Sequence, residues 1–396
     1  MRVLAFGTYD VAKHPRVQVL IDGLRSCGVT VEELNHPLNL NTAQRVQMLR
    51  QPWRLPALVV RLTSRWVRLT AGALRMRSGV RRTGRRADAV LVGYLGHFDV
   101  LLARVLFPRC TIVLDHLVFA GDTAVDRGAG HGLRTRLLGR LDRLAIAAAS
   151  LVVLDTDEHR ELMPQAQRRK AVVVPVGATG AWFDAGRACG TDAAFDAAGV
   201  GPTGPRSPTG GPAAEHGPRP LSVVFFGLFT PLQGAPVIGH ALRLLDQRGV
   251  EVRATLIGSG QDVAAVHRDV DGLPEVTWHT WVDGSRLPAV VAQHDVSLGI
   301  FGTTPKALRV VPNKVYQGAA AGTAVVTSDT APQRRALGAA AAYVPPGDAE
   351  ALADTLAALA GDRARLTKLR RRAAAVAAER FTAQAAVRPL VAALER

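Results

Sequence analysis

The stretch Val223-Val224-Phe225-Phe226-Gly227-Leu228-Phe229-Thr230-Pro231-Leu232-Gln233-Gly234 runs a short apolar segment straight into a turn bounded by two glycines. Its hydrophobic residues suit a strand buried on both faces, and residues 237–247 behind it have the spacing of a helix. Glycine at 227 and 234 lets the backbone come close to a ligand, while a helix beginning near Ala235 points free amides and its positive end at the turn. Strand, glycine turn and helix together open a doubly wound α/β sheet, in which ligands bind beyond the carboxyl ends of the strands. Residues just after each apolar run are therefore the ones to search for chemistry.

Further apolar runs follow at 252–257, 276–279, 296–301, 324–327 and 342–344, with Ala- and Leu-rich helical stretches such as 349–359 between them. Upstream the same alternation occupies 3–6, 29–34, 89–92, 111–114, 151–154 and 172–176. Between the two series, residues 199–220 hold six Gly and six Pro in 22 positions, a density that neither a helix nor a central strand tolerates. A chain of 396 residues exceeds the size at which single cores stop growing. The expectation is an N-terminal Rossmann-like domain over 1–198, a linker over 199–220 and a C-terminal Rossmann-like domain over 221–380. A closing helix over 381–396 crosses back to the N-terminal domain.

Apolar residues make up 48% of the chain and charged residues 21%, enough to build sizeable cores and too apolar for a largely disordered protein. Forty-nine Lys and Arg against 33 Asp and Glu leave a net charge of +16, which favours an anionic partner. Cys27, Cys110 and Cys189 lie far apart with no Cys-x-x-Cys spacing, so neither a disulfide framework nor a zinc site is expected, and a reducing cytoplasm is. The opening residues lack the pattern of a secretion signal, and no run of about 18 apolar residues occurs, so no membrane span is expected either.

The richest chemistry lies in Leu298-Gly299-Ile300-Phe301-Gly302-Thr303-Thr304-Pro305-Lys306, then Arg309-Val310-Val311-Pro312-Asn313-Lys314-Val315-Tyr316-Gln317, then Gly322 to Asp329. Lys306, Arg309 and Lys314, with a Pro-Asn-Lys helix start, concentrate cationic donors where an anionic ligand of such a sheet would sit. A second glycine turn, Gly258-Ser259-Gly260, follows the 252–257 run. The order of glycine turn, Gly-x-Gly, His-x-Trp-Val, Asp-Val-x-Leu, Pro-x-Lys and Gly-x-x-Val-Val-x-Ser-Asp resembles the donor domain of family-4 retaining glycosyltransferases with the GT-B architecture. It spans 221–381. Gly7-Thr8-Tyr9-Asp10 with His14-Pro15-Arg16-Val17 resembles the start of the acceptor domain in the same enzymes.

That resemblance implies two doubly wound Rossmann-like domains facing an interdomain cleft. It also implies transfer of a sugar from a nucleotide-diphosphate sugar to an acceptor hydroxyl with retention, and requires no cofactor. The acceptor would be a glycan, a lipid-linked sugar or a small molecule, such as a cell-envelope, exopolysaccharide or secondary-metabolite precursor. Catalytic roles fall to His116, Lys314 and Arg309. Donor binding falls to Gly7, Gly227, Gln233, Gly258, Gly260, Trp281, Lys306, Pro312, Asn313 and Gln317, and acceptor binding to Tyr9, Asp10, His97 and Asp115. Leu228 and Gln233 stand where the family commonly has Arg and Lys on the diphosphate, and Arg309 and Gln317 where it has two Glu eight residues apart. An Arg cannot accept a hydroxyl proton as a carboxylate does but binds phosphate well, so Lys306, Arg309 and Lys314 are expected to take over the diphosphate. These departures leave open a second reading, a catalytically inactive donor-binding or sugar-binding subunit of the same fold.

Asp155-Thr156-Asp157 is read as a helix cap rather than a metal motif, and no metal site is expected. The arginines between Arg363 and Arg372 are read as a solvated helix face. Residues 45–86 contain twelve arginines and no acid, interleaved with Trp53, Leu62, Trp66, Leu69, Leu74 and Met76. Such a stretch suits an anionic membrane surface, and the expected location is the cytoplasm, peripheral to the membrane. No nucleic-acid module accompanies the charge, so nucleic acid is not an expected partner.

Overall fold

The computed structural model describes residues 1–11, 14–38, 55–83, 86–126, 132–190 and 219–396. The chain divides into two compact units, Met1–Gly177 with Thr382–Arg396, and Ala178–Phe381. Each is built on a six-stranded sheet whose strand pairs all run parallel.

In the first unit β1 (Arg2–Gly7), β2 (Thr30–Asn35), β3 (Ala89–Val92), β4 (Thr111–Asp115), β5 (Leu151–Leu154) and β6 (Ala171–Val173) lie in the order β2-β1-β3-β4-β5-β6. Successive side chains of a strand point to opposite faces, so β1 supplies both layers of the core. Val3 and Ala5 pack with Leu20, Ile21 and Leu24 of the helix Pro15–Ser26 and with Val387 and Leu390 of the C-terminal helix Ala383–Leu394. Leu4 and Phe6 pack on the other face with Leu69, Ala103 and Ile146.

In the second unit β7 (Leu221–Phe226), β8 (Val252–Ile257), β9 (Val276–His279), β10 (Val296–Leu298), β11 (Ala324–Ser328) and β12 (Ala341–Val344) take the order β12-β11-β10-β7-β8-β9. The winding reverses between β1 and β3 and again between β7 and β10. Those strand ends are the crevices in which ligands of doubly wound sheets bind.

The expected strand over 296–301 stops at Leu298. Gly299 abuts Thr327, whose Oγ1 would stand 2.1 Å from a Cβ at 299, and Phe301 N donates to Gln233 O at 2.9 Å. The chain thus leaves the ladder to bond the 227–234 turn. Residues 178–190, read from sequence with the first domain, fall in the second unit. The helix Gly180–Ala188 there stacks Trp182 on Phe226 with ring centroids 5.5 Å apart. The expected linker lies outside the described residues except for Arg219 and Pro220.

The arginine face of the helix Arg363–Arg380 is less solvated than expected. Arg370 is mostly buried, donates to Gly322 O at 2.9 Å and, with Arg219 and Arg363, faces the buried carboxylate of Asp295. A buried carboxylate needs counter-charge, and this one draws three guanidinium groups. The basic stretch contributes one described helix, Leu55–Thr83. Leu69 and Ala73 are buried, and the Trp66 indole donates to Asp99 Oδ1 at 2.9 Å. Val59, Val60, Val67 and Leu74 face outward beside Arg61, Arg68 and Arg75. Among the described residues no helix is long and apolar enough to cross a membrane.

Candidate functional site

At the carboxyl ends of β7 and β8 two turns meet backbone to backbone. A Cβ on Gly258 would lie 1.8 Å from Gly227 O, and one on Gly260 would lie 2.2 Å from Phe229 O. Phe229 N donates to Ser259 O at 3.0 Å, and Asp262 N to Phe229 O at 3.1 Å. Close packing of the two turns therefore accounts for glycine at 258 and 260. Gly227 differs: it is exposed, takes φ +133°, and a Cβ there would stand 3.3 Å from Lys314 Nζ.

Lys314 is the second residue of the helix Asn313–Ala320, which starts after Pro312 with no side chain capping its amides. Proline's fixed φ suits the start of a helix, and the first-turn amides have no intrahelical partner. The Lys314 side chain is 5% exposed; its Nζ sits 3.6 Å above the Phe225 ring and makes no hydrogen bond. Burial pushes its pKa well below the ordinary lysine range. A buried amine without a counter-ion, at a strand-end crevice beside an exposed glycine, is the kind of perturbed cation that marks a candidate binding site.

The other donor candidates surround it unevenly. Arg309 ends the single 3-10 turn Ala307–Arg309 and donates its Nε–H to Pro305 O at 2.7 Å, so part of its guanidinium is already engaged. Lys306 precedes that turn, and Asn313 and Gln317 are half-buried on the same helix as Lys314. Gln233 accepts from Phe301 through its main chain, while its buried Oε1 has no partner. Leu228 and Trp281 are 53% and 72% exposed. Trp281 offers an aromatic face beyond the end of β9.

The first-unit candidates are more deeply buried. Gly7 takes φ +147° and abuts Asp99, whose Oδ2 accepts from both Thr8 N and Thr8 Oγ1 at 2.8 Å, so the turn's amide is satisfied internally. Tyr9 lies in the core with its hydroxyl on Glu33 Oε2 at 3.0 Å; burial, then Glu33, raise its pKa. Asp10 accepts from His14 N through its main chain at 2.9 Å. Asp115 Oδ1 takes Arg16 Nε at 2.8 Å, and Arg16 also donates to the carbonyls of Val174 and Pro175 at 3.1 Å. Burial raises the Asp115 pKa in spite of Arg16.

His116 is 1% exposed, its ring edge-on to Phe119 and 4.9 Å from His97 between centroids. Burial, then His97, pushes its pKa down to about 3. Sequence reading missed Asp99 and Asp142, and it missed that Arg16 pairs with Asp115. Arg16 and Asp115 are 99 positions apart, and Asp142 hides in an arginine- and leucine-rich helix, so no local spacing signals either contact. Thr156 caps the helix Asp157–Leu162 by accepting from His159 N, while Asp155 pairs with His159 Nδ1 at 2.5 Å.

Residues 220–362 match the family model of glycosyl transferases group 1. No match is found among curated proteins. Among solved structures, sucrose-phosphate synthase from Thermosynechococcus elongatus is 12% identical, superposes with a TM-score of 0.65, and covers 100% of this chain and 98% of its own. HepE from Anabaena is 14% identical with a TM-score of 0.60, covering 100% and 99%. The N-terminal domain of trehalose-6-phosphate phosphatase from Candida albicans is 10% identical with a TM-score of 0.61, covering 100% and 96%. The fold is GT-B, and with residues 220–362 matching the glycosyl transferase group 1 model this indicates a glycosyltransferase.

Proposed function

We propose that the chain moves a sugar from a nucleotide-diphosphate sugar to an acceptor hydroxyl with retention, and that Lys314 receives the departing diphosphate. The observation that carries this reading is the partnerless, buried Nζ of Lys314 against exposed Gly227 at the β7–β10 crevice. As the bond from sugar to phosphate lengthens, negative charge gathers on the phosphate. A preorganised ammonium and the uncapped amides at the start of the helix Asn313–Ala320 then bind more strongly than in the ground state. Lys306 and Arg309 add charge on the flank, and Trp281 offers a stacking face for the base. HepE from Anabaena has been solved with UDP and with UDP-glucose, which supports a uridine donor as the first to try.

The outward face of the helix Leu55–Thr83 supports an acceptor presented at an anionic lipid surface. Its exposed Val59, Val60, Val67 and Leu74 suit the headgroup boundary, and the neighbouring arginines suit anionic lipid. The test is a thermal-shift screen of UDP-, GDP- and dTDP-sugars, followed by product analysis with the stabilising donor and lipid-linked or soluble acceptors. Formation of a glycoside that keeps the donor's anomeric configuration is the expected result. Donor stabilisation with no turnover on any acceptor and no hydrolysis would favour the binding-subunit reading.

A further inference from the structure

The apolar surface of the first unit does not end with the helix Leu55–Thr83. That helix, Asp99–Leu106 and Leu133–Ala148 lead into the parallel strands β3, β4 and β5. They therefore lie side by side on one face of the sheet, seated there through Leu69, Ala103 and Ile146. Away from those contacts each helix presents apolar side chains to solvent. Val60, Val67 and Leu74 recur every seven residues, close to two turns, and form one exposed row on the first helix. Leu133, Leu137 and Leu144, spaced by four and seven, form a second row on the third helix, opposite its buried Asp142 and Ile146. Val105 stands exposed on the helix between them.

Exposed arginines accompany both rows. Arg61, Arg68 and Arg75 follow the first at the same seven-residue spacing, and Arg136, Arg140 and Arg143 flank the second. The acids on these three helices are Asp99 and Asp142, and both are buried. The outward face thus joins two apolar rows with charge of one sign, where an ordinary soluble surface mixes both signs and scatters its apolar groups. We propose that the three helices form one plane on which the protein lies against an anionic lipid bilayer, with the leucine row of Leu133–Ala148 entering the headgroup boundary beside the first row. This extends the lipid-surface part of the proposed function and does not depend on Lys314.

Charge chooses the occupant. A second copy docked symmetrically through this face would set arginine against arginine, whereas lipid phosphates complement the guanidinium groups and the acyl boundary accepts leucine and valine. Arginine stems can lie along the apolar rows while their heads stay at phosphate level. A lone amphipathic helix is free to roll about its axis. Two rows on helices separated by a third, roughly 20 Å apart at ordinary helix spacing, fix how the whole unit stands on the surface.

The full-length protein is sedimented with vesicles of phosphatidylcholine alone and of phosphatidylcholine mixed with phosphatidylglycerol. The wild type is expected to bind the mixed vesicles. Leu137 and Leu144 are 53% and 58% exposed, so Leu137→Gln with Leu144→Gln spares the core and leaves the charge unchanged. That pair is expected to weaken binding at least about tenfold. Arg136→Glu with Arg140→Glu is expected to weaken it at least as much. Arg365→Glu with Arg372→Glu, the same charge change on an exposed helix of the second unit, is expected to leave binding within about twofold. Equal losses from the two arginine pairs would show adhesion by net charge and overturn the plane, a comparison that stands even if the leucine variant fails to fold. Binding lost on changing Arg61, Arg65 and Arg68 to Glu but kept by the leucine variant would also overturn it, leaving attachment by the helix Leu55–Thr83 alone. No binding of the wild type to mixed vesicles would overturn it in favour of an acidic protein partner or a bare surface.

Discussion

At Lys314 burial works against stability, while the proposed role in catalysis needs the amine where it is. Its Nζ has the Phe225 ring beside it and no hydrogen-bond partner, and burial holds its pKa well below the ordinary lysine value. The folded protein therefore holds that proton less tightly than the unfolded chain, whose lysine titrates near about 10.4. Below that pH the lysine costs stability, and the cost shrinks as pH rises toward it. Lys314→Met, similar in length and apolar, is expected to melt higher than the wild type at neutral pH, with the gap closing by about pH 10. A lower melting temperature at neutral pH would contradict an unpaired buried amine.

Arg16 presents the opposite case, a buried cation with each of its three guanidinium nitrogens hydrogen-bonded. Arg16→Leu strands Asp115 and is expected to cost roughly 3–5 kcal/mol in urea melts, the range for breaking a buried pair; a loss below about 1 kcal/mol would place the pair among surface bridges. Lys314 was legible because Pro-Asn-Lys follows a strand among other cations. Its lack of a partner was not, since that depends on Phe225 and Gly227 arriving from another strand. His116 was legible as the residue that follows a strand, but its burial beside His97 and Asp142 was not, since those neighbours come from separate segments that no spacing links.

At the scale of elements, the apolar runs announced the twelve described strands because most of them are buried on both faces and read as continuous hydrophobic stretches, the edge strands β2 and β9 being partly exposed. Their ends were less legible: β10 stops at Leu298 because Gly299 must pass Thr327 and Phe301 must reach Gln233, contacts set by tertiary neighbours. The helix Leu55–Thr83 carries both faces that its composition suggested, an inward one around Trp66, Leu69 and Ala73 and an outward one of valines and arginines. Changing Arg61, Arg65 and Arg68 to Glu is expected to weaken sedimentation with anionic vesicles, at about 1 kcal/mol per basic residue removed from the surface, with the circular dichroism spectrum unchanged. Vesicle binding equal to the wild type would leave this face as ordinary protein surface.

For the whole molecule, the Gly- and Pro-rich composition change was visible in sequence, but the assignment of 178–190 was not. That assignment rests on Trp182 stacking on Phe226 and on Gly186, where a Cβ would stand 2.7 Å from Ala320 O. A fragment over 178–381 is therefore expected to melt cooperatively and higher than one over 221–381, which lacks the Gly180–Ala188 helix; equal melting would show that helix to be dispensable. The net charge of +16 and the GT-B fold agree with an anionic donor, yet neither singles out the group that meets the leaving phosphate. Initial-rate kinetics of the wild type and Lys314→Ala, with whichever nucleotide sugar raises the melting temperature, address that directly. The expected result is a fall in kcat of about a hundred- to a thousandfold with a smaller change in KM, the signature of a contact that strengthens in the transition state. Equal turnover in the two proteins would contradict the assignment of Lys314 to the departing diphosphate.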